Sequence, residues 1–162
     1  MKVLGIDPGI GRLGWAIVEK TKTIEKLIDC GCLETPANSP LPDRLQTIHL
    51  NLIKIIKKYQ PEHLAIEDLF FAKNAKTAMA VGAACGAIIL TASLSHLSIF
   101  HYTPLQIKSA ITGYGQADKK QVEFMVVRLL NIKEIPKLDD TVDAIAVALT
   151  HLASLRSVTI KP

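Results

Sequence analysis

Apolar positions along the chain follow two periods, and the switch between them sets the predicted elements. Short runs come first: Val3 to Ile6, Leu13 to Val18 and Ile24 to Leu33. Bounded by turn formers such as Pro8-Gly9, they read as three consecutive strands joined as hairpins, hence antiparallel. Pro36, Pro40 and Pro42 mark a loop. Beyond it Leu45, Ile48, Leu52, Ile55, Ile56 and Tyr59 recur at helical spacing up to a stop at Pro61. "HLAIEDLFF" then gives a short apolar strand ending at Glu67, followed by an Ala-rich helix from about Ala75 to Leu94 and a strand from Ser98 to Tyr102. Pro104 opens a short helix, "GYGQAD" makes a loop, Asp118 caps a helix through Leu130, and a last helix runs from about Asp140 to Leu155.

Three hairpin strands followed by two crossover strands predict an α/β fold. The sheet is five-stranded and mixed, three strands antiparallel and two parallel by the right-handed crossover rule, with helices on both faces. No repeat or linker divides the chain. At 162 residues and 49% hydrophobic content it is expected to form one domain spanning residues 1–162.

Between Thr77 and Phe100 there is no Asp, Glu, Lys or Arg, so length alone would admit a membrane span. The stretch carries Gly82, Gly86, Ser93, Ser95, His96 and Ser98, and its apolar part is mostly Ala, which favours a buried helix followed by a strand. The N-terminal MKVLGID enters the first strand without a basic leader or cleavage site, and the three cysteines form neither an even disulfide set nor a zinc pattern. We therefore expect a cytoplasmic protein with no membrane association. Nineteen Lys and Arg against fifteen Asp and Glu give a net charge of +4, compatible with a polyanionic partner without requiring one.

Chemistry is expected where strands end. Asp7 closes the first strand and Glu67 the fourth, and in α/β sheets the carboxyl ends of neighbouring strands border the usual site. The last helix begins "LDDTVDAIAVAL", so Asp140 and Asp143, one turn apart, can project toward the same place. Singly, each acid has a plain explanation: Asp139 or Asp140 as a cap, Asp143 as a partner of the helix dipole, Asp7 as a turn residue, Glu67 on a solvated strand end. Their convergence from three elements is more informative, because clustered carboxylates repel unless a cation relieves them. Carboxylate oxygens without a Cys or His cluster select Mg²⁺ or Mn²⁺ over Zn²⁺. Two such ions about 4 Å apart serve phosphodiester hydrolysis.

Four blocks, "GIDPGIGRLGWAI" at 5–17, "AIEDLFFAKNAKTA" at 65–78, "GYGQADKKQV" at 113–122 and "DDTVDAIAVALTH" at 139–151, together resemble the RuvC Holliday-junction resolvases, which have the ribonuclease H fold. The resemblance spans nearly the whole chain. It implies a Mg²⁺-dependent endodeoxyribonuclease of DNA recombination and repair, a hydrolase that nicks two opposing strands of a four-way junction symmetrically to leave 5′-phosphate and 3′-hydroxyl ends. By the same resemblance Asp7, Glu67, Asp140 and Asp143 are the catalytic tetrad, binding two Mg²⁺ per subunit, with Mn²⁺ able to substitute. Geometry does not choose between Asp139 and Asp140; the family's D-x-x-D-A spacing selects Asp140, leaving Asp139 as a cap. Phe70, in preference to Phe71, takes the role of an aromatic wedge at the junction centre. Lys108 and Lys119 fall on DNA-contacting lysines, with Lys120 a nearby substitute for Lys119 and Lys73 and Lys76 as further phosphate contacts. The implied partners are four-way junction DNA, a second subunit in a homodimer, and the RuvAB branch-migration complex.

Two readings compete. The first block also looks like the phosphate-binding hairpin of the actin, sugar-kinase and Hsp70 superfamily, although those proteins need two lobes and this chain supplies one. The other is a junction-binding architectural protein with a decayed site, or a related resolvase-like domain acting on other RNA or DNA substrates; four acids in register argue against decay. Gly82 and Gly86 allow close backbone approach either to the sheet or to another subunit, with sheet packing preferred.

Overall fold

The computed structural model describes residues 1–22, 24–68, 75–132 and 139–158, and within these the side chains of all but residues 75–77 and 156–158. Strands β1 (Lys2–Asp7), β2 (Arg12–Thr21) and β3 (Ile24–Glu34) form an antiparallel meander; β4 (His63–Glu67) pairs parallel to β1, and β5 (Ser98–Tyr102) parallel to β4. The sheet order is β3-β2-β1-β4-β5, the mixed five-stranded arrangement expected. The helices are α1 (Leu41–Tyr59), α2 (Ala75–Leu94), α3 (Pro104–Thr112), α4 (Lys119–Leu130) and α5 (Asp139–Val158). The uncharged stretch after residue 76 divides into α2 and β5, and no helix among the described residues is long and apolar enough to cross a membrane.

Two boundaries differ from the sequence reading for physical reasons. Pro40 and Pro42 do not lie in a loop: Pro40 is the N-cap of α1 and Pro42 sits in its first turn, where the absent N–H would have had no helical acceptor. Strand β2 continues past Val18 through polar Glu19, Lys20 and Thr21. Backbone pairing with β3 persists there, and Glu19 faces Lys26 while Lys20 faces Glu25, pairs of opposite charge; the Lys20 ammonium also donates to the Leu152 carbonyl of α5 at 3.4 Å.

Strand alternation separates two cores. Leu4, Ile6, Leu13, Ile17, Leu64 and Ile66 point to the layer of α1 and α2, meeting Ile48, Leu52, Ala84 and Ile88. Val3, Ala16, Val18 and Ala65 point the other way, onto α5, behind which α3 and α4 pack. The centre of α5 is buried all round: Ala144, Ile145, Ala146, Val147 and Ala148 are inaccessible. Helix α2 is comparably apolar, yet Met79, Leu90 and Leu94 are exposed. Among the described residues, a Cβ placed on Gly82 or Gly86 would meet nothing within 4 Å. These two glycines therefore do not serve sheet packing, which corrects the preferred reading.

Glycines of the β1–β2 hairpin do serve close packing. A Cβ on Gly5 would lie 2.2 Å from the Ala144 carbonyl oxygen, and one on Gly14 would lie 1.9 Å from that of Asp140. The α5 backbone thus rests directly on the hairpin backbone. Farther along α5, buried His151 is hydrogen-bonded to His63 of β4 and Tyr102 of β5, each at 2.7 Å, and burial together with His63 lowers its pKa to about 4, so it packs as a neutral imidazole. The helix is pinned at both ends.

Because the nearest obstructing atom at Gly5 is a backbone carbonyl oxygen, it cannot move aside. Gly5→Ala is expected to lower the unfolding free energy by about 1–3 kcal/mol, as overpacking does, measured by urea denaturation. An unchanged midpoint would show that α5 is not seated on the hairpin as described.

Candidate active site

Alternation along β1 places Asp7 in phase with Val3 and Gly5, facing α5; along β4 it places Glu67 in phase with Ala65, facing the same way. Asp140 is positioned by its own carbonyl, which rests over Gly14 of β2. Asp143 follows one turn later on α5. Acids from three elements therefore share one end of the sheet. Beside them opens a cleft of about 280 Å³ whose lining includes Glu67, Pro104, Ile107, Lys108, Lys119 and Asp143.

Electrostatics registers this crowding. The Asp7 carboxyl is raised from 3.8 to about 7, by burial first and then by Asp143 and Asp140, with Lys119 opposing. Glu67 is raised from 4.5 to about 7, again by burial first and then by Asp7 and Asp143, while Lys108 pulls it down and Asp68 pushes it up. Burial also raises Asp143, although Lys119 lies 3.2 Å away and acts against the shift. Burial would lower Lys119, but Asp143 and Asp139 prevail and its pKa rises, so the ammonium stays charged.

Basic side chains accompany the acids. Arg12 Nη2 lies 2.7 Å from Asp140 Oδ2, and the Cys32 thiol is 3.8 Å from the same oxygen. Neither residue stood out in the sequence. The signal for Arg12 was its position two residues before Gly14 on one strand, which puts it on the α5 face. With Arg12 on Asp140 and Lys119 on Asp143, no three His, Cys, Asp or Glu side chains among the described residues stand close enough to hold an ion as they are. The donor set nevertheless fits a hard divalent cation: the four acids present only oxygens, and Asp7 is raised partly by Asp143 and Asp140 and Glu67 partly by Asp7 and Asp143, a repulsion that such an ion would relieve.

The other sequence candidates distribute as follows. Lys108 and Lys119 line the cleft. Lys120 points to a second pocket on the far side of the first turn of α4. Asp139 stands in the first turn of α5 with its carboxylate 3.5 Å from Lys119 Nζ, exposed to solvent. Phe70 and Lys73 lie outside the described residues, as does the side chain of Lys76.

A β3-β2-β1-β4-β5 sheet with carboxylates at the ends of β1 and β4 beneath the first turn of a buried helix defines the ribonuclease H-like class of nuclease fold. The profile of the family "Crossover junction endodeoxyribonuclease RuvC" matches residues 3–151. The chain belongs to the RuvC family, which are nucleases. It is 52% identical over 159 residues to the crossover junction endodeoxyribonuclease RuvC of Caldicellulosiruptor saccharolyticus, covering 98% of this chain and 96% of that one. With the corresponding protein of Halothermothrix orenii it shares 48% over 156 residues, 96% and 94% of the two chains. Among solved structures, Thermus thermophilus RuvC in complex with Holliday junction substrate superposes with a TM-score of 0.92 at 36% identity, over 100% of this chain and 99% of that one.

The raised acids make stability depend on pH with a definite sign. A carboxyl whose pKa is higher folded than unfolded binds more protons in the folded state, so stability is present below about pH 4 and is lost as pH rises toward 7. Asp7→Asn removes one such group and part of the repulsion on Glu67. In metal-free buffer the variant is expected to be more stable than the parent at pH 8, by on the order of a few kcal/mol, with the difference shrinking toward pH 4. Thermal denaturation across that range measures it; a constant difference would contradict the raised pKa.

Proposed function

We propose that this chain, a single nuclease domain over residues 1–162, resolves four-way DNA junctions as a homodimer, each subunit hydrolysing one phosphodiester. The observation that carries the reading is the meeting of Asp7, Glu67, Asp140 and Asp143 beside a cleft that also carries Lys108 and Lys119. Metal-dependent hydrolysis is the chemistry this donor set suits. Asp7, Glu67, Asp140 and Asp143 would hold Mg²⁺, or Mn²⁺ in its place, with oxygens enough for a pair of ions that retain waters. A cation held by these residues would supply Lewis-acid chemistry, activating water and neutralising charge at the departing 3′ oxygen. The products would be 5′-phosphate and 3′-hydroxyl ends.

The chain's own cations have two tasks. Lys119, near Asp143, and Lys108, beside Glu67, offer positive charge to a phosphate entering the cleft, while Arg12 neutralises Asp140 until that carboxylate is engaged. Phe70 is assigned the wedge at the junction centre, and Lys73, Lys76 and Lys120 the flanking backbone contacts; these assignments rest on the family resemblance. Family membership likewise supports RuvAB as the assembly that delivers junctions, and the cytoplasm as the location.

Helix α2 supports the homodimer. Its exposed Met79, Leu90 and Leu94 and its open Gly82 and Gly86 leave an apolar face uncovered, the surface an isologous helix contact would bury. Two sites related by a two-fold axis suit paired strand cuts.

A nicking assay on four-way junction, linear duplex and RNA–DNA hybrid tests the proposal, with cleavage of the junction in Mg²⁺ as the expected result. Asp7→Asn is expected to cost more than the roughly 100-fold that loss of an outer-shell partner costs, while junction binding persists. Lys119→Ala is expected to lower the rate by about 10²–10³-fold, as loss of a transition-state donor does. Full activity in Asp7→Asn would refute the site.

Leu90→Asp is expected to yield monomers in sedimentation and to convert paired junction cuts into single nicks. A variant that stays dimeric would exclude α2 from the interface.

A further inference from the structure

The first turn of α4 separates two concavities. Lys119 and Val122 face the carboxylate cleft. On the opposite side lies a more open pocket of about 380 Å³, lined among others by Thr112, Tyr114, Ala117, Lys120, Phe124 and Met125. Two aromatic rings in this lining reach solvent, Tyr114 at 61% and Phe124 at 57% exposure. An apolar ring left in water is unfavourable unless something covers it in use.

The rings stand on a fixed platform. Gly113 ends α3 in the left-handed region, at φ +76°, and turns the chain outward. The Tyr114 N–H donates to Thr112 Oγ1 at 3.1 Å, and the Ala117 N–H donates to the Tyr114 carbonyl at 3.0 Å. A capping box between Asp118 and Gln121 then starts α4, with Phe124 in the next turn. Little further ordering is needed to present both rings, which lowers the entropic cost of covering them.

Charge indicates what covers them. Lys120 lines the pocket, and the Arg128 guanidinium carbon is 5.2 Å from the centre of the Phe124 ring. The acid in the lining, Asp118, accepts the Gln121 N–H and is committed to the helix N-terminus. Aromatic faces interleaved with cations are the chemistry that binds an unpaired nucleic-acid strand, bases stacking and phosphates pairing. A second copy of a chain with net charge +4 would instead bring like charge to a positive face. The pocket also lies only one helical turn from the carboxylate cleft, with Lys119 lining one and Lys120 the other.

We propose that this pocket is a nucleobase subsite: an unpaired base next to the phosphate in the carboxylate cleft stacks on Tyr114 and Phe124, while Lys120 holds the adjoining phosphate. The subsite rests on the nuclease reading above, which supplies the strand. It gives the enzyme a means to sense local unpairing or base identity beside the cut.

The test uses the full chain as parent, Tyr114→Ala/Phe124→Ala double variant and Tyr114→Phe, in metal-free buffer. Four-way junctions carry 2-aminopurine, or an abasic residue, at successive positions around the cleavage points. In the parent and in Tyr114→Phe, which keeps the ring, fluorescence at one position is expected to be quenched on binding. The double variant is expected to lose that quenching and at least about 5-fold in affinity, the lower end for one stacked base. An abasic residue there should weaken the parent by the same factor and leave the double variant unchanged. Parent-like quenching and affinity in the double variant would overturn the subsite. A change of its oligomeric state would do so too, assigning the pocket to a second copy. If the parent binds linear duplex as tightly as the junction, the junction reading fails, while the quenching pattern still decides the subsite.

Discussion

The structure depends on backbone contact between α5 and the β1–β2 hairpin. Helices normally stand off a sheet by the depth of two layers of side chains; here Gly5 and Gly14 remove one layer, and Ala144 and Ala148 reduce the other. The first turn of α5 is thereby drawn to the carboxyl end of β1. Asp140 and Asp143 meet Asp7 through that approach and through nothing nearer in the chain. The centre of α5 is then covered on every side, by the sheet on one face and by α3 and α4 on the other.

Such an approach brings like charges together in a half-buried place, and the fold tolerates the repulsion in two ways. Asp7 and Glu67 accept protons more readily than ordinary carboxylates. Asp140 and Asp143 take cationic partners from elsewhere on the chain, Arg12 from β2 and Lys119 from α4. A site of this kind is destabilising in isolation, as sites that wait for a charged ligand tend to be. The same property makes it receptive to divalent ions and to a phosphate backbone. Membership of the RuvC family supplies a reaction in which both are present.

Two helices of similar composition illustrate how burial separates roles. Apolar α5 fills the space between two layers and is structural along most of its length, whereas α2, equally free of charge through its centre, is covered by the described residues on one face only. Hydrophobicity along the chain does not distinguish them. The distinction arises because α3 and α4 come after α2 in the chain and fold over α5 instead, leaving α2 as an outer layer.

Much was legible from linear order. The hairpin meander, the crossover strands and the parity that turns Asp7 and Glu67 to one face follow from local spacing, because strand and helix periods are local properties of the backbone. The acids were identifiable as candidates for the same reason: they stand where predicted elements end. Arg12 and Cys32 beside Asp140, the open surroundings of Gly82 and Gly86, and the pairing of Tyr114 with Phe124 at one pocket were not legible. Each depends on which elements pack together and at what distance, and that is set by contacts between residues far apart in the chain, which no local period encodes.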